Sequence, residues 1–360
     1  MFLKKIVLEN FRCFSNFSCE FSKFNYIYGS NGVGKSSLIE AIYFLMSGRS
    51  VRSGKVFKRH GHKSLISFEK KQMKLTGQME IFGELNEISI EADNKKKIFS
   101  INEKKLKKSS ELFKISRILM FHPGDIATID ENPSYRRSYF DHEFSMIDTE
   151  YFTDLLKIRK ILSERNKLLK NIQLGLKVDE LYLKSITDSY IILTFNVIYN
   201  RISMLSLIQK EWKNIGKITY RLNNQFDISG IDKDNLKAKI LELHEQLKTK
   251  EKRYGYSLFG PQRDEYVFVQ NGNAIKEFYS TGEKMKWILE LKLAINKVIK
   301  NKSNIAPVML MDDFFNFFDK KNYLELLLGL NENQVFFTSQ ERRCEIEKKF
   351  GAVNKIELTQ

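Results

Sequence analysis

The sequence is poor in cysteine, and none of its cysteines are paired at a metal or redox spacing. Cys13, Cys19 and Cys344 are the three cysteines of the chain, and they lie far apart. An odd number with no C-x-x-C pair argues against a disulfide framework and against a zinc site. We therefore expect a reducing compartment, in which all three thiols are buried as small apolar side chains.

Long apolar runs and long heptad arrays are also missing. No apolar run reaches the roughly 20 residues that a membrane helix needs. The start, MFLKKIVLENFRCFSNF, lacks the apolar core and cleavage site of a secretory signal. The helical patterns are too short for a long coiled-coil arm. We expect a cytoplasmic protein without membrane attachment.

Acidic residues are in the minority. Sixty Lys and Arg residues against 44 Asp and Glu give a formal net charge of +16. This excess favours a polyanionic partner, either nucleic acid or an anionic membrane surface. A drift of composition towards lysine is the alternative, so the charge makes DNA binding plausible without establishing it. At 360 residues the chain can form one large domain or two modest ones.

The apolar periodicity changes twice along the chain. Strand-like runs such as KIVLENF, FNYIYG and LNEISIEA fill the first part, and residues 94–110 read as a basic surface hairpin. From about residue 145 to 252 apolar residues recur three and four apart, which predicts helices. Strand patterns return after Gly255 in YSLFG, EYVFVQNG, APVMLMDDF and QVFFTS. The helical pattern includes Leu236, Ile240, Leu243 and Leu247.

The most specific motif is a G-x-x-x-x-G-K-S turn between a short strand and an apolar helix. Its backbone N–H groups predict a nucleotide-phosphate site, where Lys35 reaches the β- and γ-phosphate oxygens and Ser36 is a Mg²⁺ ligand. A chance glycine turn is the alternative, which the flanking strand and helix disfavour. The predicted cofactor-binding residues of the turn are Gly29, Ser30, Asn31, Gly32, Val33, Gly34, Lys35, Ser36 and Ser37. The helix face comprises Leu38, Ala41, Ile42 and Leu45, with Gly48 as the candidate C-cap.

A magnesium nucleotide site also needs a carboxylate at the end of a neighbouring buried strand. The run PVMLMDD places Asp312 for Mg²⁺ and Asp313 for a base or water-positioning role. Two solvated carboxylates after a buried strand are the alternative. Because Lys35 and Asp312 are separated by most of the chain, both chain ends must build one domain around an inserted helical middle.

A second anion site is suggested at the start of a later helix. Ser280 and Glu283 form an S-x-x-E capping box, and the helix has a buried stripe that includes Ile288 and Leu291, then Ile295 and Val298. Capping accounts for the pattern by itself. The same geometry also suits the γ-phosphate of a nucleotide held by a partner subunit, since free N–H groups and the helix dipole meet there.

Taken in order, these motifs resemble the ABC-type ATPases of the SMC/Rad50 class and, within it, the RecF family of bacterial recombination mediators. Strings in family order cover almost the whole chain. They include LENFR, GSNGVGKSSLIEAIYFL, GRSVR, MFHPGDIATIDENPSYRRSYFD, ERNKLLK, GPQRDEY, STGEKMK and PVMLMDDFFNFFD. The resemblance implies an α/β fold: an ABC-type P-loop ATPase lobe from both chain ends, residues 1–145 and 253–360, with an inserted helical lobe, residues 146–252.

The resemblance further implies ATP and Mg²⁺ as cofactors, an ATP-dependent homodimer and weak DNA-dependent ATP hydrolysis. Its partners would be duplex and gapped DNA, with RecO and RecR in loading RecA during gap repair and stalled-fork recovery. Carried over by position, Lys35, Asp312 and Asp313 are catalytic, and Ser36 and Asp312 bind the metal. Ser280 and Gly282 would contact the γ-phosphate across the dimer, and Thr338 would be a γ-phosphate sensor. Asp319 would close the dimer interface, and Arg12, Arg49 and Arg52 would border the nucleotide unless they form surface salt bridges.

The chain departs from the family pattern at the signature and dimer-closing segments. The departures are Gln262, Glu283, Phe317 and Phe318. They motivate an alternative function, a nucleotide- and DNA-binding module with little hydrolysis. A transporter ATPase subunit is a third possibility, against which the NFR start and the helical insertion argue. Candidate DNA contacts, each equally consistent with a solvated helix face, are Arg136, Arg137, the lysines of residues 95–108, Lys157, Lys160, Arg165 and Lys167.

Overall fold

The computed structural model of the chain describes residues 1–50, 62–108, 111–212, 216–318, 327–341, 348 and 351–359. Arg52, Asp319 and Cys344 lie outside the described residues. The chain divides into two compact units. Unit 1 joins Met1–Ala127 to Ser280–Gln360, and unit 2 is Thr128–Tyr279. The two ends of the chain therefore build one unit together.

Unit 1 contains a six-stranded antiparallel sheet in the order β2-β1-β4-β5-β6-β7. Alternation of buried and exposed residues along β4 places one face of this sheet on the core. Within the basic hairpin predicted for residues 94–110, β6 and β7 form the edge of the sheet, and residues 109 and 110 lie outside the described residues. The strands are β1 (Phe2–Phe11), β2 (Phe14–Glu20), β4 (Gln72–Ile81), β5 (Glu84–Asp93), β6 (Lys97–Ile101) and β7 (Lys104–Lys105).

A five-stranded parallel sheet in the order β15-β3-β14-β13-β8 forms the second layer of unit 1. Its inner strands are short, apolar and buried, as is usual for parallel strands. Strands from both chain ends pair with each other in it, β3 between β15 and β14 and β8 beside β13, so both ends are needed to form the sheet. The strands are β3 (Phe24–Tyr28), β8 (Ile118–Phe121), β13 (Val308–Met311), β14 (Val335–Ser339) and β15 (Asn354–Glu357).

Helix α1 (Lys35–Ser47) contacts strands of both sheets and is buried along nearly its whole length. The predicted face is buried, and Gly48 ends the helix at φ 67° as a left-handed C-cap. Sheet and helix approach closely at Gly77, where a Cβ would lie 2.2 Å from Leu45 Cδ2. The other α-helices in the described part of unit 1 are α2 (Leu112–Ile115) and α9 (Thr281–Ser303), whose predicted apolar stripe is buried.

Unit 2 combines helices with a four-stranded antiparallel sheet in the order β10-β9-β11-β12. The strands are β9 (Lys217–Leu222), β10 (Phe226–Asp227), β11 (Glu265–Gln270) and β12 (Asn273–Ala274). The helices are α3 (Ala127–Asp130), which begins at the division, α4 (Pro133–Ile147), α5 (Thr149–Gln173), α6 (Glu180–Glu211), α7 (Lys233–Tyr254) and α8 (Ile275–Phe278). In α7, Leu236, Ile240 and Leu243 are buried, and Leu247 is half-buried.

The observed division corrects the predicted boundaries at residues 145 and 253. Helix α4 belongs to unit 2 because it packs on β11, where Phe140 stacks on Tyr266 with ring centroids 4.2 Å apart. The insertion is also not wholly helical, since KITYRL forms β9, which pairs with β11. YSLFG, which has a strand-like sequence, contributes no strand. Whether such a segment forms a strand depends on pairing with a distant strand, which local periodicity does not predict.

Helix α6 is long and apolar enough to cross a membrane by length and composition alone. The sequence pattern did not predict such a helix. Core helices of soluble proteins meet the same test, and α6 buries Arg201, whose guanidinium nitrogen lies 2.7 Å from Asp141 Oδ1 in α4. A buried ion pair to a neighbouring helix is the pattern of a helix packed in a protein core.

Candidate nucleotide and magnesium site

The phosphate loop lies between β3 and α1, as predicted. Gly29, Gly32 and Gly34 have φ values of 148°, 88° and 108°. A Cβ at Gly29 would lie 2.4 Å from Leu358 O, and one at Gly34 would lie 2.7 Å from Cys13 Sγ. Both the backbone conformation and the close packing therefore require glycine at these two positions. The loop is held in a shape that side chains would prevent.

Helix α1 begins with no side-chain cap at Gly34 and no acidic residue in its first turn. Its first N–H groups and the positive end of its dipole thus face the loop without a carboxylate from the helix's own first turn. Lys35 is buried, and its Nζ donates to Gly29 O at 2.7 Å and Ser30 O at 2.9 Å. An ammonium has three donors, so this arrangement leaves a donor for a phosphate oxygen. The loop and helix end together suit an anion.

Ser36, on the first turn of α1, meets the residues that follow β13. Ser36 Oγ donates to Asp312 Oδ1 at 3.2 Å, a contact between residues 276 positions apart. The backbone N–H of Asp312 donates to Phe121 O at 2.9 Å, which fixes the end of β13 beside β8. The predicted pairing of Ser36 with a distant carboxylate is present in the structure.

Thr338, in β14, connects the two carboxylate residues. Its Oγ1 donates to Asp312 Oδ1 at 2.7 Å and accepts from the backbone N–H of Asp313 at 2.8 Å. Thr338 is fully buried. Asp313 has φ 48°, a left-handed conformation that costs free energy in a non-glycine residue. The threonine hydroxyl therefore braces a strained turn.

The donor set fits magnesium. A serine hydroxyl and a carboxylate oxygen lie 3.2 Å apart, and hard oxygen ligands are those that Mg²⁺ prefers. Burial raises the pKa of the Asp312 carboxyl, and the hydrogen bond from Thr338 opposes that rise. In the described part of the chain no cluster of three or more His, Cys, Asp or Glu residues forms.

Ser280 caps α9, as the sequence predicted. Ser280 Oγ donates to Glu283 Oε2 at 2.7 Å, and Ser280 N donates to the same oxygen at 2.9 Å. These bonds lower the pKa of the Glu283 carboxyl, led by the one from the Ser280 side chain. Ser280, Gly282 and Glu283 are exposed. The start of α9 thus faces solvent, and the Ser280 hydroxyl, which was predicted to contact an anion, is bonded to the Glu283 carboxylate.

Sequence reasoning missed two features beside the loop. Strand β8 supplies the Phe121 carbonyl that accepts from Asp312, and its signal is the buried run ILMF before Pro123. Arg12, which has φ 52°, donates from Nε to Glu40 Oε2 at 2.9 Å, and its Nη2 forms an ion pair with the same oxygen at 2.9 Å. The pairing with Glu40 supports the salt-bridge interpretation of Arg12 over the nucleotide one.

The cysteine prediction was wrong for the described thiols. Cys13 is exposed and lies against Gly34 of the phosphate loop, and Cys19 is half-buried. Burial raises the pKa of the Cys19 thiol to about 11. Both residues lie next to or in β2, an edge strand whose outer side is not covered by a further strand among the described residues. Edge positions of this kind leave small side chains accessible.

Three of the candidate DNA contacts are structural instead. Arg136 forms a two-nitrogen pair with Glu265, and Arg137 donates to Asp264 O at 2.8 Å. Arg165 is buried and lies 2.6 Å from Glu251 Oε2. These contacts explain the three arginines without nucleic acid. Lysines that remain exposed, and therefore remain candidates, are Lys95, Lys96, Lys104, Lys105, Lys107, Lys108, Lys157, Lys160 and Lys167.

Known proteins resemble this chain over almost its full length. The model of the RecF/RecN/SMC N terminal domain matches residues 2–350. The DNA replication and repair protein RecF of Ruminiclostridium cellulolyticum is 31% identical over 369 residues, covering 98% of this chain and 94% of the relative. RecF of Acetivibrio thermocellus is 31% identical, covering 98% and 96%.

Solved structures agree with the sequence comparisons. The recombination mediator RecF bound to ATP, of the RecFOR pathway, superposes with a TM-score of 0.84 at 29% identity, covering 94% of this chain and 92% of that one. The Smc head domain of Pyrococcus furiosus, at 17% identity and a TM-score of 0.53, shares the fold. The chain belongs to the RecF family, within the RecF/RecN/SMC class of ABC-type ATPases.

Proposed function

We propose that this chain is an ATP-dependent DNA-binding recombination mediator. It binds ATP with Mg²⁺, pairs with a second copy through the nucleotide, and holds duplex DNA and single-strand gap regions. The observation that carries this proposal is the contact of Ser36 Oγ with Asp312 Oδ1 at the uncapped start of α1. That contact joins a phosphate loop to a metal carboxylate from the other end of the chain.

Each predicted residue has a role that its position allows. Bound Mg²⁺ would neutralise charge on the β- and γ-phosphates. Ser36 and Asp312 hold the metal, the loop N–H groups from Gly29 to Ser37 bind phosphate oxygens, and Lys35 supplies a cation within the loop. Asp313 orients the attacking water, and Thr338 holds both carboxylate residues in place. Because Thr338 already donates to Asp312, we favour this bracing role over the γ-phosphate sensor role.

The dimer part of the proposal concerns the exposed start of α9. Ser280 and Gly282 lie at a helix N-terminus, where N–H groups and the dipole favour an anion. In the described part of the chain, the Ser280 side chain bonds only within its own cap. Ser280 and Gly282 of one copy are therefore available to the γ-phosphate held by the other copy.

The relatives supply the biological setting of the proposal. They are described as DNA replication and repair proteins, and the superposed structure belongs to a recombination mediator of the RecFOR pathway. We infer that RecO and RecR are the partners of this chain and that loading of RecA is the outcome. The chain works in the cytoplasm, where DNA and ATP are both present.

A subunit-mixing experiment tests the shared site. A Lys35→Ala chain and a Ser280→Arg chain each lack one half of the composite site, so either alone should be inactive. Mixed together, they form dimers with one intact site, and ATP hydrolysis in the presence of gapped DNA should return to part of the wild-type rate. The control is a mixture of two batches of the Lys35→Ala chain. Absence of recovery in the mixed sample would contradict the shared site.

A binding module with little hydrolysis is the second candidate, and one observation favours it. The Glu283 carboxylate accepts from both the Ser280 hydroxyl and the Ser280 N–H, and these bonds lower the pKa of the carboxyl. A carboxylate at this position repels an incoming γ-phosphate. We infer that this carboxylate acts as a brake on dimer closure.

Removing that charge separates the two candidates. Glu283→Gln keeps a capping side chain and removes the negative charge, so we expect ATP-dependent dimerisation to tighten by about tenfold or less. The measurement is sedimentation with ATP, alongside ATP turnover. Glu84→Gln, at an exposed site in β5, is the matched control. Unchanged dimerisation in Glu283→Gln would show that the Glu283 charge does not oppose dimer closure. Absence of ATP turnover in the wild-type chain would favour the binding module.

A further inference from the structure

Exposed apolar side chains collect at one end of unit 2. Among the described residues, fourteen large apolar side chains are exposed, and six of them lie where α5 passes into α6 and where α7 ends. We call these six the arm-end surface. They are Leu174 (60% exposed), Leu176 (55%), Leu181 (81%), Tyr182 (42%), Tyr254 (49%) and Tyr256 (44%). Single exposed apolar residues are ordinary, whereas a cluster marks an interaction site.

The fold brings the two parts of this surface together. Residues 174–179 connect α5 to α6, residues 180–182 begin α6, and residues 254–256 run from the last residue of α7 into the following segment. Gly255 lies against Gln173, so closely that a Cβ there would be 2.6 Å from Gln173 Oε1. Tyr254 and Tyr256 flank this glycine, with ring centroids 6.2 Å apart. The tyrosines therefore border the leucine-bearing turn.

A buried polar network fixes the base of the arm-end surface. Arg165 in α5 donates to Glu251 Oε2 in α7 and to Ser257 Oγ, each at 2.6 Å. Glu251 Oε1 also accepts from Leu258 N at 2.7 Å, and Asn166 Oδ1 accepts from Ser257 N at 2.8 Å. These bonds hold residues 255–258 on α5. A surface with a rigid base loses less entropy when a partner binds to it.

The charges around the arm-end surface are mainly positive. Two of the nearby carboxylates are already engaged: Glu164 accepts from the Tyr182 hydroxyl, and Asp179 caps α6 by accepting from Leu181 N at 2.9 Å. Arg263 lies over the Tyr256 ring at 5.7 Å. The exposed cations in and next to these two segments are Lys170, Lys177, Lys184, Lys252 and Arg253.

We propose that the arm-end surface is a docking site for an acidic segment of a partner protein that also carries apolar side chains. Leucines and tyrosines supply the apolar contact, and the surrounding cations select a negatively charged segment and speed its approach. Nucleic acid fits less well. It would use the cations and the tyrosines by stacking, and it would leave the three leucines exposed. This proposal does not rest on the nucleotide site.

A labelled peptide tests the proposal on the full chain. The probe is a fluorescein-labelled peptide of 15 residues, in which Asp and Glu alternate with Leu and Phe, and its binding is followed by anisotropy. Leu176→Ser with Leu181→Ser should weaken binding by at least about tenfold, because two exposed leucines lose their contacts. Lys177→Glu with Arg253→Glu should weaken it similarly and flatten its salt dependence.

Matched controls complete the design. Phe82→Ser removes an exposed aromatic side chain, 76% exposed, from unit 1 and should leave peptide binding unchanged. A peptide with Lys in place of Asp and Glu should not bind. Thermal melting checks the fold of each variant, and the double charge variant keeps the test valid if the double serine variant unfolds.

Three results would overturn the docking site. The first is no binding of the acidic peptide to the wild-type chain. The second is an equal loss of binding in Phe82→Ser. The third is that a 30-residue oligo-dT or an anionic phospholipid vesicle binds at this surface and is lost in the leucine variants, while the peptide is not bound.

Discussion

Thr338 shows how much one buried hydroxyl decides at the candidate site. It donates to Asp312, the proposed metal ligand, and accepts from the backbone of Asp313, whose φ is positive. The two bonds therefore control both the orientation of one carboxylate and the backbone that carries the other. A side chain without a hydroxyl would release both constraints together.

Substitution of Thr338 tests this bracing role. Thr338→Val keeps the shape and removes the hydroxyl, and the unpaired Asp313 N–H should cost about 1–3 kcal/mol of stability. ATP turnover should fall by about tenfold or more, because the proposed catalytic groups lose their positions. Nucleotide binding in EDTA should not change, since the phosphate loop is untouched.

Thr338→Ser is the control for that substitution, because it retains the hydroxyl. The measurement is turnover as a function of Mg²⁺ concentration together with analogue binding in EDTA. Thr338→Val should need more Mg²⁺ for half-maximal turnover. Wild-type Mg²⁺ dependence in that variant would contradict the bracing role.

At the scale of elements, a buried ion pair joins two helices of unit 2. The Arg165 side chain is 3% exposed and that of Glu251 is 0% exposed. Two charges removed from water require each other, since either one alone would be left uncompensated. Arg165 also donates to Thr187 of α6 at 3.2 Å, so a single guanidinium connects three helices.

Breaking this pair should destabilise unit 2. Arg165→Met leaves Glu251 buried without a cation, and we expect a loss of about 3–5 kcal/mol in the free energy of unfolding. The double variant Arg165→Met with Glu251→Leu removes both charges and should recover most of that loss. Urea unfolding followed by circular dichroism measures both values. A double variant no more stable than Arg165→Met would show that the network as a whole, rather than the charge pair, carries the stability.

At the scale of the whole molecule, only part of the excess positive charge is available to contact DNA phosphates. Arg136, Arg137 and Arg165 bond within unit 2, while the lysines of the β6–β7 hairpin other than the half-buried Lys97 remain exposed. In the six-stranded sheet, Lys74 Nζ of β4 lies 3.3 Å from Glu91 Oε1 of β5, and this ion pair partly neutralises the charge of Lys74. The hairpin is thus a better candidate for phosphate contact than the arginines.

The salt dependence of DNA affinity tests this assignment. If the chain contacts phosphates, its affinity should fall with salt at a slope of about −0.9 per contacted phosphate. Replacing Lys104, Lys105, Lys107 and Lys108 with Ala should make the slope shallower by about 0.9 for each lysine in contact. The matched control replaces Lys233, Lys237, Lys248 and Lys250 of α7. Equal changes in the two sets would assign the effect to net charge alone.

The sequence by itself determined the local features of the chain. The phosphate loop, the C-cap at Gly48, the capping box at Ser280 and the β13 strand all depend on residues close together in the chain. Glycine conformations, cap bonds and apolar periodicity act over a few residues, so they can be read without a fold. The need for one domain from both chain ends also followed, because a metal nucleotide site requires Lys35 and Asp312 together.

Only the tertiary structure decided which distant groups meet. In the tertiary structure KITYRL pairs with β11 as a strand, and α4 belongs to unit 2. The Thr338 hydroxyl forms hydrogen bonds with Asp312 and Asp313. The tertiary structure also buries Arg165 against Glu251, where the sequence left the arginine as a candidate DNA contact. Strand pairing, burial and long-range hydrogen bonds depend on neighbours that lie tens to hundreds of residues away. No local pattern encodes which distant neighbour a side chain contacts. That neighbour determines whether the side chain has a buried structural role or is available to bind a ligand.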